Sequence, residues 1–256
     1  MKLEEFSQDN FEQASKRLIR SLTRGKTTSS QPKAILLGGQ SGAGKITIHR
    51  VKQREFQGNI IIIDGDSYRS FHPNYLDLQE KYGKDSVDYT KVFAGKMVEY
   101  LVDELSKQGY HLLIEGTLRT TEVPRKTAQL LITKGYQVSL ALIATKPELS
   151  YLSTLIRYEE LYAIDPSQSR ATPKEHHDGI VEHLVDNLRE LENDKIINQI
   201  QIFQRDQSCV YNSQVDETSA AEVLHECLFG KWSKVEEEML KIGQERLREL
   251  SMRTSK

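Results

Sequence analysis

The chain has 256 residues, 38% of them apolar, which suits one large α/β domain or two small ones and allows a sizeable core. Lys plus Arg (35) nearly balance Asp plus Glu (37), so a net charge of -2 gives no general pull toward nucleic acid. No apolar run approaches the ~20 residues that span a bilayer.

The N-terminus, Met1 to Phe6, has early acids and no apolar core, unlike a signal peptide. With only Cys209 and Cys227 as cysteines, the expectation is a cytoplasmic protein with free, half-buried thiols.

Phe11, Ala14, Leu18, Ile19 and Leu22 recur at helical spacing and predict an amphipathic helix over 8–23. After a polar stretch, Ala34 to Gly38 form a short apolar run, read as a strand buried on both faces. Similar runs follow at 60–63, 112–114 and 138–143, separated by helical patterns at 47–56, 86–107 and 123–134. Gly109 and Gly135 fall where helix C-caps belong.

This alternation predicts an α/β fold with a mainly parallel sheet flanked by helices and a helical C-terminal part. In that part, Thr145 with Glu148, Thr172 with Glu175, Ser219 with Glu222 and Ser233 with Glu236 fit capping boxes. Pro173 would take a first helical position. Residues 200–203 read as an edge strand, and Val210 and Tyr211 could begin another. The expected organisation is one domain over 1–256: an N-terminal helix in 1–24, a core in 32–213 and C-terminal helices in 219–256.

Chemistry enters at Gly39-Gln40-Ser41-Gly42-Ala43-Gly44-Lys45, between a buried strand and a helix. That context marks a phosphate-binding loop. Its backbone N–H groups wrap phosphate oxygens, the helix N-terminus adds positive charge, and Lys45 reaches the outer phosphates of a nucleoside triphosphate. The next position normally carries a Ser or Thr that ligates Mg²⁺, but here it is Ile46. Thr47 lies one residue on, about 100° around the helix, so its hydroxyl should face elsewhere. Phosphate cradling should survive; metal placement should suffer.

Asp64-Gly65-Asp66 ends the second strand, where ligands of parallel sheets bind. Asp66 reads as a general base or a metal ligand, against the plainer role of capping a turn. Glu115-Gly116-Thr117-Leu118-Arg119 ends the third strand. There Glu115 could hold metal through water or grip an acceptor, and Arg119 could pair with an anion. Arg157 and Arg170 are candidate cations for a transferring phosphoryl group, with Glu159 and Glu160 leaving a structural role open for Arg157. His176 and His177 are adjacent and point apart on a helix, so surface or capping roles are expected. Tyr82, Tyr89, Tyr100 and Tyr110 look like packing residues, not a base-stacking platform.

Together the loop, Asp-Gly-Asp, Glu99 on a long helix, Glu-Gly-Thr-x-Arg and two later arginines resemble the zeta toxin family, nearly end to end. The streptococcal zeta and pneumococcal-type members are the most alike. The resemblance implies a P-loop kinase fold moving the γ-phosphoryl of ATP, with Mg²⁺, to the 3′-hydroxyl of UDP-N-acetylglucosamine, which blocks cell-wall precursor synthesis. It assigns Lys45 to the phosphates, Asp66 to the base, and Arg157 and Arg170 to the transferring group. Glu99, Glu115, Thr117, Arg119 and Thr127 become the acceptor-binding set along with Asp66. A small helical antitoxin would cover the nucleotide site, in an assembly of two toxins and two antitoxins. Alternatives are a catalytically weakened nucleotide- and antitoxin-binding module, motivated by Ile46, and a P-loop kinase acting on nucleic acid.

Overall fold

The computed structural model describes residues 2–165 and 171–254. The apolar runs become strands β1 (Lys33–Gly38), β2 (Ile61–Ile63), β3 (Leu112–Glu115), β4 (Gln137–Ile143) and β5 (Gln199–Phe203), with β6 at Cys209–Asn212. They form one sheet in the order β2-β3-β1-β4-β5-β6. The first five strands are parallel, and β6 pairs antiparallel to β5 across a register shift. β1 lies between β3 and β4, so the strand order switches there and a crevice opens beyond the strands' carboxyl ends. The register aligns those ends: Leu37 lies beside Glu115, and Ile63 beside Ile114.

Ten helices surround this sheet among the described residues: α1 (Gln8–Leu22), α2 (Ile46–Glu55), α3 (Gly65–Tyr68), α4 (Tyr75–Tyr82), α5 (Ser86–Lys107), α6 (Glu122–Thr133), α7 (Pro147–Ile164), α8 (Lys174–Asp194), α9 (Ala220–Phe229) and α10 (Lys234–Thr254). Alternation along β1 splits the core in two. Ala34 and Leu36 face the larger cluster, with Phe93, Met97 and Leu101 of α5. Ile35 and Leu37 face the smaller one, where Ile48 of α2 packs. No described helix is long and apolar enough to cross a membrane.

Three of the four expected capping boxes are not realised. Thr145 turns its hydroxyl away to Ala43 O (2.8 Å), so α7 starts at Pro147 without a side-chain cap. Pro173 is the N-cap of α8, not its first residue, and Thr172 makes no cap. Ser219 does precede α9, but Glu192 of α8 accepts from both Ser219 Oγ (2.8 Å) and Ala220 N (2.7 Å), in place of Glu222. Only Ser233 and Glu236 close the reciprocal pair, at 2.7 and 3.2 Å. At α7 and α9 a tertiary acceptor outcompetes the local one.

The turn-forming stretch after β2 holds two helices, α3 and α4, that the sequence pattern did not show. Tyr82 and Tyr89 stack on each other at 3.7 Å rather than scatter. Cys209 is exposed rather than half-buried, while Cys227 is half-buried; both are free.

Candidate active site

The loop's shape is set by glycines that no other residue can replace. Gly39 and Gly42 take φ of 141° and 74°. A Cβ on Gly39 would lie 2.7 Å from Ile143 Cγ2, and one on Gly42 only 2.0 Å from Ser150 O. The backbone closes through Ala43 N to Gln40 O (3.1 Å) and Thr47 N to Gly44 O (2.8 Å), and α2 begins at once. Its first-turn N–H groups and partial positive charge therefore face the crevice. Lys45 Nζ folds back over the loop, donating to Gly39 O (3.1 Å). It also lies 3.7 Å from Glu115 Oε1 across the β1–β3 boundary. The other Glu115 oxygen sits 2.8 Å from His49 Nε2, outside the angular range of a hydrogen bond.

This cradle fits a triphosphate and does not supply a metal ligand from the loop. Ile46 opens α2 and is 56% exposed, apolar where an oxygen is needed. Thr47 Oγ1 lies toward Gly44, 3.9 Å from where a Cβ there would sit, with Arg205 on the same side. Asp64 is occupied as the cap of α3, accepting from Asp66 N (3.0 Å) and Ser67 Oγ (2.6 Å). Glu115 is held by Lys45. No group of three His, Cys, Asp or Glu among the described residues is arranged to hold a metal.

Asp66 stands exposed on α3, its Oδ1 2.8 Å from Arg69 Nε. Arg69 is itself anchored on α5 through Val87 O (2.8 Å) and Thr90 Oγ1 (3.1 Å), so it orients the carboxylate. A left-handed Leu118 (φ 56°), whose carbonyl accepts from Asn187 of α8 (2.9 Å), turns the chain after Thr117. Arg119 then reaches His176 Nδ1 at 3.4 Å. Burial, with Arg119 next, pushes His176 below the usual histidine range, and Asp66 pulls it back. Asp66, Arg119 and His176 thus share one electrostatic neighbourhood. Thr127 spends its hydroxyl on Val123 O (2.9 Å), and Glu99 is exposed on α5; no described contact links either to these groups.

Arg157 is exposed on α7, and Glu160 pairs with Arg246 of α10 (3.2 Å) instead. Ser150, Ser153, Thr154 and Arg157 fall at i, i+3, i+4 and i+7, one face of the helix. That face meets the loop: Thr154 Cγ2 would touch a Gly42 Cβ at 2.8 Å. Arg170 lies outside the described residues.

Two features escaped the sequence reading. Arg205, after β5, donates from Nε to Ala43 O (3.1 Å) and from its terminal nitrogen to Gly42 O and Ser153 Oγ (2.9 Å). Burial lowers its proton affinity, yet it holds the loop from behind. The strand-end rule that nominated Asp66 and Glu115 would have nominated Arg205 too. His177, expected at the surface, is 1% exposed and lies 2.8 Å from Ser150 Oγ. A cavity of about 470 Å³ is lined by Thr145, Lys146, Arg205 and Cys227, and no residue of 39–45 lines it.

Comparisons with known proteins bear on the family and the fold. The zeta toxin family model matches residues 18–216. Toxin PezT of Streptococcus pneumoniae is 69% identical over 250 residues, covering 98% of this chain and 99% of that protein. Toxin zeta of Streptococcus pyogenes is 40% identical over 208 residues, 81% of this chain and 72% of its own. A solved structure from the S. pneumoniae PezAT chromosomal toxin–antitoxin system superposes with a TM-score of 0.93 at 68% identity, covering 98% of this chain and all of that one. An ATP-containing AvrRxo1-ORF1:-ORF2 complex shares the fold, with a TM-score of 0.57 at 16% identity, over 91% of this chain and 73% of that one.

Proposed function

Because the chain belongs to the zeta toxin family, we propose that it is the toxin of a toxin–antitoxin pair and a kinase of UDP-N-acetylglucosamine. One observation carries the reading. The loop lysine and the Glu115 carboxylate meet at 3.7 Å where the strand order switches, with Asp66 on α3, just after β2, the strand beside β3.

ATP would lie with its phosphates on the amides of 39–45 and Lys45. The acceptor would sit over β2 and β3, among Asp66, Glu99, Glu115, Thr117, Arg119 and Thr127. Asp66, steadied by Arg69, takes the proton of the 3′-hydroxyl. The hydroxyl oxygen then bonds to the γ-phosphorus as the bridge to the β-phosphate breaks, and ADP leaves. Arg157 and Arg170 offset the charge of the transferring group. Phosphorylated precursor would starve cell-wall synthesis. An antitoxin, small and helical, would cover the nucleotide site in a complex of two toxins and two antitoxins within the cytoplasm. Membership in the family, and a relative from a toxin–antitoxin system, support that partner.

Mg²⁺ is the cofactor this site serves least well. Ile46 favours a reading in which nucleotide binds but transfer is slow. Loss of a partner of a metal ligand typically costs ~10–100-fold, and a direct ligand at least as much. Ile46→Thr should therefore raise turnover by ~10-fold or more. Mass spectrometry of UDP-N-acetylglucosamine incubated with ATP, Mg²⁺ and either form tests both points. A phosphate added faster by the threonine form supports substrate and defect together; no phosphorylated sugar nucleotide from either form refutes the substrate. Equal turnover by both forms would refute the role given to Ile46.

A further inference from the structure

We propose that His177 is a positioning residue for the phosphate loop, acting through the Ser150 hydroxyl on the amide of Gln40. This rests on the proposed nucleotide-binding function. Gln40, the second residue of the loop, is fully buried. Its Nε2 donates to Thr145 O (2.7 Å) and to Ser150 Oγ (3.2 Å), and its Oε1 has no partner among the described residues. The amide is therefore fixed by its nitrogen alone.

Ser150 Oγ has three neighbours: Pro147 O at 2.9 Å, Gln40 Nε2 at 3.2 Å and His177 Nε2 at 2.8 Å. A hydroxyl donates once and accepts twice. One assignment serves all three: Ser150 donates to Pro147 O and accepts from Gln40 and from His177. The other ring nitrogen of His177 faces Asp178 Oδ1 at 3.2 Å, and its ring packs on Tyr151 (5.3 Å). His177 thus turns the Ser150 lone pairs toward the loop. The same residue of α7 presents its carbonyl 2.0 Å from where a Gly42 Cβ would lie, so the loop seats on Ser150 from two sides. Arg157 follows two turns along the same face.

The consequence is a line of contact from the first turn of α8, through α7, into the cradle. Its loss should loosen the loop before it harms the fold, because the loop's glycines give it no stiffness of their own. His177→Phe keeps ring and volume but removes the donor; ATP affinity should fall about five- to tenfold. His177→Gln places an amide N–H near the position of Nε2 and should return affinity to within about twofold of the parent.

The decisive measurement is a double-mutant cycle with Ser150→Ala, read as ATP affinity by calorimetry, with melting temperatures confirming that each variant folds. If His177 acts through the hydroxyl, His177→Phe has no further effect in the Ser150→Ala background. Multiplicative losses, or failure of glutamine to restore binding, would show that His177 serves packing or Asp178 instead and overturn the inference. Absence of ATP binding by the unaltered chain would fail the proposed function itself, before any variant is compared.

Discussion

Arg205→Met isolates what holds the loop from behind. Methionine keeps much of the stem's volume and removes every donor. The lost bonds are those to Ala43 O, Gly42 O, Ser153 Oγ and, at 3.4 Å, Leu149 O. Ala43 O keeps the Thr145 hydroxyl at 2.8 Å and Leu149 O keeps the Ser153 hydroxyl at 2.8 Å, while Gly42 O and Ser153 Oγ lose this donor without such a substitute. Each net bond is worth about 1 kcal/mol, and a buried group left unpaired about 1–3 kcal/mol. Against this, removal of a guanidinium whose burial already disfavours its charge returns part of the cost. About 2 kcal/mol of net destabilisation follows. In a chain of this size that is a fall of roughly 4–8 °C in Tm. ATP affinity should drop about tenfold, since the carbonyls that Arg205 turns outward are those whose amides must turn inward. Differential scanning calorimetry and titration with ATP measure the two effects. A methionine variant that melts within 1 °C of the parent and binds ATP equally would refute the brace.

Three further perturbations probe separate links. Gly42→Ala should abolish ATP binding while the chain still folds, because the new Cβ meets Ser150 O at 2.0 Å on a backbone with φ of 74°; retained affinity would disprove the seat on α7. Asp66→Asn should remove transfer but shift Tm by no more than about 2 °C, since its pair with Arg69 is exposed; comparable turnover would exclude the base. Stability should fall as pH drops from about 7.5 to 5.5. Burial first, then for His111 nearby Lys33, lowers His72 and His111. In each, Nδ1 accepts a backbone N–H, from Asn74 and from Lys33, and so cannot carry a proton. The unfolded chain then binds more protons through the ordinary histidine range, which sets the sign. His72→Gln should flatten the slope of denaturation midpoint against pH, and an unchanged slope would remove His72 from the account.

Sequence pattern reached the strands and the loop because both are local. Four apolar runs, each near a glycine or acid, predict β1 to β4 to within one residue. Asp66, Glu115 and Arg119 were nominated for a topological reason: Glu115 ends β3, and Asp66 and Arg119 follow the ends of β2 and β3, where parallel sheets bind ligands. What the pattern could not show was where side chains spend their hydrogen bonds. Thr145 and Ser219 have the spacing of N-caps, yet Ala43 and Glu192 claim their hydroxyls. His177 looked like one of a surface pair because nothing in Glu175-His176-His177-Asp178 says that α8 will press its second histidine onto α7, 27 residues away in sequence. Thr127 was assigned by likeness alone, and its hydroxyl is turned to Val123.

These separations also bear on Ile46. Beside the loop's own backbone bonds, the contacts that shape it come from elsewhere: Gly39 against Ile143, Gly42 against Ser150, Ala43 against Thr145 and Arg205, Gln40 against Ser150. Ile46 takes no part in that set and is exposed to solvent. An apolar group there costs the fold little, since it is not forced to displace a neighbour. Under the proposed function, the cradle for a triphosphate and the ligand for its metal would therefore be built from different residues. One can be altered without the other, which is why binding and turnover should part company in this chain.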